Sequence, residues 1–365
     1  MRAASAVLRI VPLSVGGGLF VTTVALSLSA LIFGAFVASL GVDPFGVFAT
    51  IYKAAFGSWF SWQNTLSRAA PLILAALCVA LPARLGLVII GGEGAILLGG
   101  LAAAVAGIHL AGLPAIVGTP ALLVAGATVG GLWIGFCGVM RSYRGVNETI
   151  SSLLLVYLAV TIFDHLVDGP LRDLSNVNFP STHPIDENFK IGNIPGADMH
   201  WGLVVGCLAC LAAALYMRVT PQGFAMRIAG GNPRAALALG LPVGRMVIVV
   251  CLVGGAAAGL AGALEVAAVQ GRASGALHVG YGFMGILVAF LARHNPLAVI
   301  AAAILTGGIA ASSGLLQRVY DLPDATAIVL QGIVFLSILT CETLYGRAGA
   351  LFRWMMPGPT SRERA

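Results

Sequence analysis

Glu93 is an ionisable residue inside an apolar stretch, in the run Gly91-Gly92-Glu93-Gly94. A carboxylate inside a membrane helix is costly unless it is paired or faces a polar cavity, and the flanking glycines allow the helix to break. Two interpretations stay open. Glu93 lines a polar pathway, or it caps a broken helix end by accepting hydrogen bonds from free backbone N–H groups.

A second segment interrupted by glycines, Gly280-Tyr281-Gly282-Phe283, occupies a similar position in the second half of the chain. Paired interruptions of this kind are typical of transporters built from repeats, in which they meet near the bilayer midplane. The rings of Tyr281 and Phe283 could stack on a flat solute ring, whereas packing in a core is the more frequent fate of aromatic side chains. We treat both aromatic residues, with Glu93, as candidates to line a pathway.

The segment from Arg218 to Arg245 contains four arginines and no acidic residue. The run Gly230-Gly231-Asn232-Pro233 predicts a helix start, because Asn caps free N–H groups and Pro suits the first helical position. Gly240 and the proline that follows it predict the end of this helix after less than two turns. A helix this short needs a packing partner, since about 12 to 15 residues are usually required in water. That partner is the protein's own surface or, as we favour, a groove on a second protein.

Composition indicates an all-α, polytopic integral membrane protein. Hydrophobic residues make up 59% of the chain and charged residues 9%, and there are 48 glycines in 365 residues. Long apolar runs rich in small residues favour packed transmembrane helices over a β-barrel. The net charge of +6 is explained by membrane orientation, so we do not expect nucleic acid as a partner. The six cysteines lie in apolar stretches and the six histidines are scattered, so we predict neither a disulfide nor a metal site.

Hydropathy windows of about 20 residues predict about ten transmembrane helices, some of them broken and lining a central pathway. Their centres lie near Leu28, Leu74, Leu98, Ala127, Tyr157, Leu208, Gly255, Ala289, Ile304 and Val334. In this arrangement the arginine-rich loops share one face with both termini, and the positive-inside rule assigns that face to the cytoplasm. We predict one transmembrane domain over residues 1–365, an acidic external loop at 164–200, a cytoplasmic loop at 218–245 and a basic cytoplasmic tail at 346–365.

Four segments, taken together, resemble the permeases of ABC importers in the branched-chain amino acid, ribose and nucleoside class, most closely the branch that takes simple sugars and purine nucleosides. The segments are GLVIIGGEGAILLGGLAAA from Gly86, RGVNETISSLLLVYLA from Arg144, GFAMRIAGGNPRAALALGLPV from Gly223 and GYGFMGILVAFLARHNPLAVIAAAILTGG from Gly280. Where members of this class usually have Asn, Gln and Asp, this chain has Ile89, Ala95 and Met284.

The resemblance implies that the loop at 218–245 is a coupling loop for an ATPase. The residues assigned to coupling are Arg227, Gly231, Asn232, Pro233, Arg234, Ala235 and Gly240. The resemblance also places Asn147 near the inner mouth of the pathway in a gating or structural role, whereas its position before an apolar helix predicts a cap. The glycines at the broken helices are Gly91, Gly92, Gly94, Gly280 and Gly282.

The chain has two lysines, Lys53 and Lys190, and neither belongs to a Walker A motif. The protein is therefore not expected to be an enzyme or to hold a cofactor, and Mg-ATP would bind to partner subunits. The resemblance implies ATP-binding subunits, a second permease subunit (identical or different), an external binding protein or lipoprotein, and membrane lipid as partners. The expected location is the bacterial cytoplasmic (inner) membrane. The expected function is import of a nucleoside or a related purine or sugar compound, and the alternative is an ion-coupled secondary transporter.

Overall fold

The computed structural model describes residues 15–175 and 179–355, with side chains described for residues 21–175 and 179–345. Secondary structure in this part of the chain is helical. The helices are α1 Val15–Ser39, α2 Pro44–Phe56, α3 Trp59–Ala83, α4 Gly92–His109, α5 Ala115–Arg144, α6 Glu148–Asp168, α7 Gly202–Val219, α8 Pro221–Gly231, α9 Pro233–Ala238, α10 Val243–Glu265, α11 Tyr281–Leu291, α12 Pro296–Tyr320 and α13 Ala325–Met355.

Within the described residues, nine helices are long and apolar enough to cross a membrane. The tenth predicted span, centred near Ala289, is instead the 11-residue helix α11. Eleven residues rise only about 16 Å, which is too short for a hydrocarbon core of about 30 Å. The all-α polytopic prediction is therefore confirmed, with the tenth span corrected to a short helix.

The chain divides into two compact units, residues 50–315 and residues 1–49 with 316–365. In the smaller unit α1 packs against α13, and the ring of Phe33 meets the edge of Phe48 at 5.8 Å between centroids. Arg2 and Arg9 of the predicted N-terminal cluster lie outside the described residues. Helix α13 continues to Met355 through the predicted basic tail, and residues 356–365 lie outside the described part.

Small residues hold the centre of the larger unit together, where α10 packs against α3, α4 and α5. A Cβ added to Gly99 of α4, or to Gly130 of α5, would lie only 2.5 Å from the Cα of Gly259 in α10. Larger side chains would force these three helices apart, as the small-residue spacing predicts. All six cysteines are free thiols: four are buried in the larger unit, and Cys207 of the same unit and Cys341 of the smaller unit are partly buried.

Two faces can be distinguished in the larger unit. One, the acidic face, carries the loop between α6 and α7, which is anchored in the core by the fully buried Phe189. This ring fills the space left by the missing side chain of Gly118 in α5. The other, the basic face, carries α8 and α9. Helices α7 and α10 each run between these two faces.

Candidate functional site

The first helix break separates α3 from α4. Residues 87–90 have no regular secondary structure, and two hydroxyl groups of α6 form hydrogen bonds with backbone groups of this segment. The Thr149 hydroxyl donates to the Val88 carbonyl at 2.9 Å, and the Ile90 N–H donates to Ser152 Oγ at 3.1 Å. Non-helical backbone at membrane depth requires such partners, because no water is available there. The break therefore lies between Ala83 and Gly92, with Gly91 as its last residue, and Gly92 and Gly94 belong to the first turn of α4.

Two of the three glycines, Gly91 and Gly94, allow close packing at the start of α4. A Cβ on Gly94 would lie 2.8 Å from the Cβ of Ala159 in α6, and one on Gly91 would lie 3.1 Å from the Cβ of Ser152. Both distances are shorter than ordinary van der Waals contact, whereas a Cβ on Gly92 would make only ordinary contacts. The sequence could not distinguish a flexible backbone from close packing as the reason for these glycines.

The second break lies between α10 and α11. Helix α10 ends in a π-helical turn at Val266–Gln270, a 3-10 turn follows at Gly275–Leu277, and Gly280 adopts the left-handed conformation with φ of 87°. The segment before Gly280 pairs with the loop of the acidic face, since the Ile185 N–H donates to the Gly271 carbonyl at 2.9 Å. The chain then continues through α11 to the opposite face.

The Glu93 side chain links α4, which follows the first break, to α11, which follows the second. Its Oε1 accepts a hydrogen bond from the Gly280 N–H at 3.0 Å, and its Oε2 accepts one from the Gly282 N–H at 2.6 Å. The side chain is fully buried, and the missing side chain of Gly282 lets α11 touch the Glu93 backbone. A carboxylate at the first N–H groups of a helix is favoured by the hydrogen bonds and by the helix dipole. The capping interpretation therefore describes the observed contacts of Glu93, and contact with a solute stays a prediction.

Tyr281 and Phe283 have different environments at the start of α11. The Tyr281 hydroxyl lies close to the carboxyl group of Glu265, at the end of α10, and Arg68 of α3 is close enough to interact favourably with that carboxyl. Phe283 is 44% exposed. Tyr281 and Glu93 thus lie at one junction, and Phe283 offers a free aromatic surface next to it.

Arg68 is a residue of this junction that the sequence analysis missed. It was one arginine within a long apolar helix, and its spacing from Glu265 in the chain gave no sign of their proximity. Its guanidinium also donates to the Asn64 side chain at 3.4 Å. The sequence did contain a signal for Arg68, because a charged residue inside a membrane helix usually marks a functional or paired position.

Asn147 lies on the basic face and caps α6. Its Oδ1 accepts hydrogen bonds from the Thr149 N–H at 2.9 Å and the Ile150 N–H at 3.2 Å, which confirms the predicted cap. The next residue, Glu148, forms an ion pair with Arg141 at 3.3 Å. Because the Thr149 hydroxyl bonds the first break, this cap and the break are parts of one local structure.

The basic loop contains two helices where the sequence predicted one. Asn232 caps α9 by accepting from the Arg234 N–H at 3.1 Å and the Ala235 N–H at 3.3 Å, with Pro233 in the first position. Gly240 has φ of 77°, as its predicted role at the helix end requires. The helix that the sequence missed is α8, which begins at Pro221 behind a Thr220 cap.

Gly230 and Gly231 therefore end α8, and the prediction that they start a helix is wrong. Gly230 lies in direct contact with the carbonyl oxygen of Arg84, which immediately follows α3. Burial, together with the nearby charge of Arg227 in α8, lowers the pKa of the Arg84 guanidinium below its usual value. Helix α8 is thus seated on the chain where the first break begins.

Helix α9 exposes most of its surface. Ala236 is fully buried, whereas Leu237 is 60% exposed, Leu239 is 69% exposed and Arg234 is exposed. One small residue anchors the helix to the protein, and two leucines and an arginine are left available. This combination suits a surface that packs against another protein.

The described residues contain no group of three or more His, Cys, Asp or Glu side chains that could hold a metal ion. The site combines the starts of α4 and α11, which the Glu93 carboxylate links, with a basic, helical loop that contacts the chain at the first break.

Comparison with known proteins assigns the class. Residues 61–339 match the family described as the permease component of the branched-chain amino acid transport system, and the chain belongs to this family. It is a multi-pass permease component of an ABC importer. The ion-coupled alternative receives no support from this membership.

Individual relatives are permeases of several ABC transporters. The chain is 33% identical over 345 residues to a glucose ABC transporter permease, TsgB13, of Haloferax volcanii, covering 92% of this chain and 90% of the relative. It is 30% identical to a guanosine permease, NupP, of Bacillus subtilis, over 72% of this chain and 76% of the relative. It is 25% identical to a nucleoside permease, NupB, of Lactococcus lactis, over 86% and 90%.

Proposed function

We propose that this permease imports a nucleoside or a related purine or sugar compound. The support is that its relatives are named for guanosine, nucleosides and glucose. The pathway is assigned to the junction of α4 and α11, where Phe283 is exposed and Tyr281 and Glu93 supply polar groups. An external binding protein or lipoprotein delivers the solute at the acidic face, and a second permease subunit, identical or different, completes the core.

Energy comes from ATP-binding subunits that hydrolyse Mg-ATP and dock on α8 and α9, while this chain holds no nucleotide. The arginine-rich loop lies in the cytoplasm by the positive-inside rule, which corresponds to the inner membrane of a bacterium. The exposed residues of α9, together with Arg227 and the Asn232 cap, form the docking surface.

The contact between Gly230 and the Arg84 carbonyl carries this proposal. A displacement of α8 by a partner acts directly on the backbone that leads into residues 87–90. That segment ends at α4, whose Glu93 holds the first N–H groups of α11. Movement at the loop can thus reach both helix breaks through consecutive contacts.

Replacing Asn232-Pro233-Arg234 with Gly-Ser-Gly tests the docking role. The change removes the cap and the first turn of α9 but leaves the membrane helices intact, so we expect folded permease and loss of ATP-driven uptake. The matched control is Asn232→Asp, which keeps a capping oxygen and should retain uptake. Normal uptake by the triple variant would contradict docking on α9.

The solute is tested with the external binding protein that works with this permease. Calorimetric titration with guanosine, adenosine and glucose should show binding of a nucleoside or sugar in preference to branched-chain amino acids. Selective binding of an amino acid would overturn the substrate proposal and leave the permease class unchanged.

A further inference from the structure

A deep apolar groove lies between α7, α8 and α10 in the larger unit. Two cavities of about 360 and 480 Å³ share Tyr216, Met226 and Val249 in their walls, so they form one continuous groove. Met226 is buried, whereas Val249 and Val253 are about half exposed, which shows that the groove opens at the surface. None of these residues belongs to the junction around Glu93.

The length of the groove corresponds to one leaflet. Its wall on α10 extends from Arg245 to Ala257, about 18 Å at the rise of an α-helix. Half of the hydrocarbon core of a bilayer is about 15 Å. A single acyl chain that enters at the Arg245 end would therefore reach the far end of the groove near the bilayer midplane.

The charge of the groove is confined to one end. Arg245 and Gln222 line the opening beside the basic loop, and the remaining wall is predominantly apolar. The whole stretch from Met199 to Leu264 contains four arginines and no acidic residue. Helix α8 also begins at this opening, and a helix start adds partial positive charge. An anionic group is attracted to this end, and only hydrocarbon suits the rest.

Length and charge together identify the occupant of this groove. An apolar wall about one leaflet long, with its charge confined to the end beside the basic loop, matches a lipid molecule, which has an acyl chain at one end and a charged headgroup at the other. We propose that this groove binds the acyl chain of an anionic phospholipid, whose phosphate is held by Arg245.

Native mass spectrometry of the purified full-length permease tests this proposal. The protein is titrated in detergent with phosphatidylglycerol or with phosphatidylcholine, and bound lipid is counted. We expect preferential retention of phosphatidylglycerol, and Arg245→Gln should weaken it about tenfold, the loss expected for one hydrogen bond between charged groups. Arg144→Gln removes the same charge at an exposed position outside the groove and should leave retention unchanged.

A second pair of variants changes the shape of the groove without changing its charge. Ala213→Phe places a ring in the wall on α7 and should reduce phosphatidylglycerol retention by about the same factor or more. Leu211→Phe, on the same helix but outside the groove, should not. Equal retention of the two lipids, or equal effects of Arg245→Gln and Arg144→Gln, would overturn the proposal. So would closure of the groove by a second copy, detected as a disulfide between two Val253→Cys chains.

Discussion

At the scale of single residues, Glu93 illustrates how far a sequence can be interpreted. Because a buried carboxylate is unfavourable inside a membrane, the sequence predicted a partner for Glu93. In the structure, two N–H groups at the start of α11 donate hydrogen bonds to it. The donors lie 187 and 189 positions further along the chain, so no local pattern could identify them. The caps at Asn147 and Asn232 were predictable because each bonds residues two and three positions ahead.

Glu93→Gln should destabilise the permease. The amide oxygen can accept one of the two hydrogen bonds, but the amide nitrogen is a donor that faces the other N–H group. Loss of a buried hydrogen bond to a charged group costs about 1 to 3 kcal/mol. We expect a lower unfolding temperature in detergent and slower uptake.

Glu187→Gln provides the control, because Glu187 is an exposed carboxylate on the acidic face. Its unfolding temperature should match that of the unchanged protein. If the two variants have the same stability, then the hydrogen bonds to Gly280 and Gly282 do not stabilise α11.

His294 makes stability depend on pH. Burial, followed by the charges of Arg84 and Arg293, lowers the pKa of its imidazole from 6.5 to about 4. The unfolded chain therefore binds a proton more readily than the folded one, so the contribution of neutral His294 is present above pH 6.5 and declines as pH falls toward 4. The whole shift corresponds to about 3 kcal/mol.

Thermal unfolding at pH 7.5 and pH 5 measures this effect. His294→Gln should show a smaller loss of stability between these two values than the unchanged protein. His109→Gln, at an exposed position, should lose as much stability between these two pH values as the unchanged protein does. A loss that is unaffected by His294→Gln would assign the pH dependence to other groups.

At the scale of elements, the basic loop shows a signal that was present but not used. Thr220-Pro221 has the same cap-and-proline pattern as Asn232-Pro233, and both start helices. Gly230 and Gly231 were grouped with Asn232-Pro233 as one predicted helix start, although they end α8. The sequence analysis had no means to detect that Gly230 is needed where α8 meets the end of α3.

Gly230→Ala should separate α8 from α3. Its Cβ would collide with the backbone carbonyl oxygen of Arg84, which cannot rotate away as a flexible side chain could. Overpacking of this kind costs about 1 to 3 kcal/mol. We expect a lower unfolding temperature and faster hydrogen exchange at residues 221–231.

The neighbouring substitution Gly231→Ala is the matched control for stability, since no atom lies within 4 Å of its added Cβ. Its unfolding temperature should be unchanged or slightly higher, because alanine favours helix over glycine. Equal destabilisation by both substitutions would mean that the contact with Arg84 is unimportant.

Gly259→Leu should disrupt the packing of α4, α5 and α10. Gly99 and Gly130 both approach Gly259 too closely for a side chain. We expect little folded protein in the membrane, measured by size-exclusion chromatography of the solubilised protein. Gly332→Leu introduces the same side chain at an exposed helical position with no atom within 4 Å, and its yield should be normal. Similar yields of the two variants would exclude close packing as the reason for glycine.

At the scale of the whole molecule, composition and hydropathy predicted the all-α membrane class because lipid imposes long apolar helices. Composition and hydropathy could not predict that the tenth span is replaced by turns followed by a short helix. A 3-10 turn, the left-handed Gly280 and the short α11 carry the chain between the faces, and the Glu93 carboxylate accepts hydrogen bonds at the start of α11. A hydropathy window averages the hydropathy of its residues and therefore does not detect such a break.

The arrangement of the larger unit leads to one functional claim. We propose that this permease, whose sequence contains no Walker A motif, receives movement through α8 and α9, and that the contact with Arg84 transmits it to the helix breaks. This claim requires that α9 touches an ATP-binding subunit, whereas the loop of the acidic face does not.

Site-specific photo-crosslinking in cells tests this requirement directly. A photoreactive amino acid replaces Arg234 in α9 or Glu187 in the loop of the acidic face, and crosslinked partners are identified by mass spectrometry. The account predicts that position 234 crosslinks to the ATP-binding subunit and position 187 does not. Crosslinking of that subunit from position 187, with none from position 234, would contradict it.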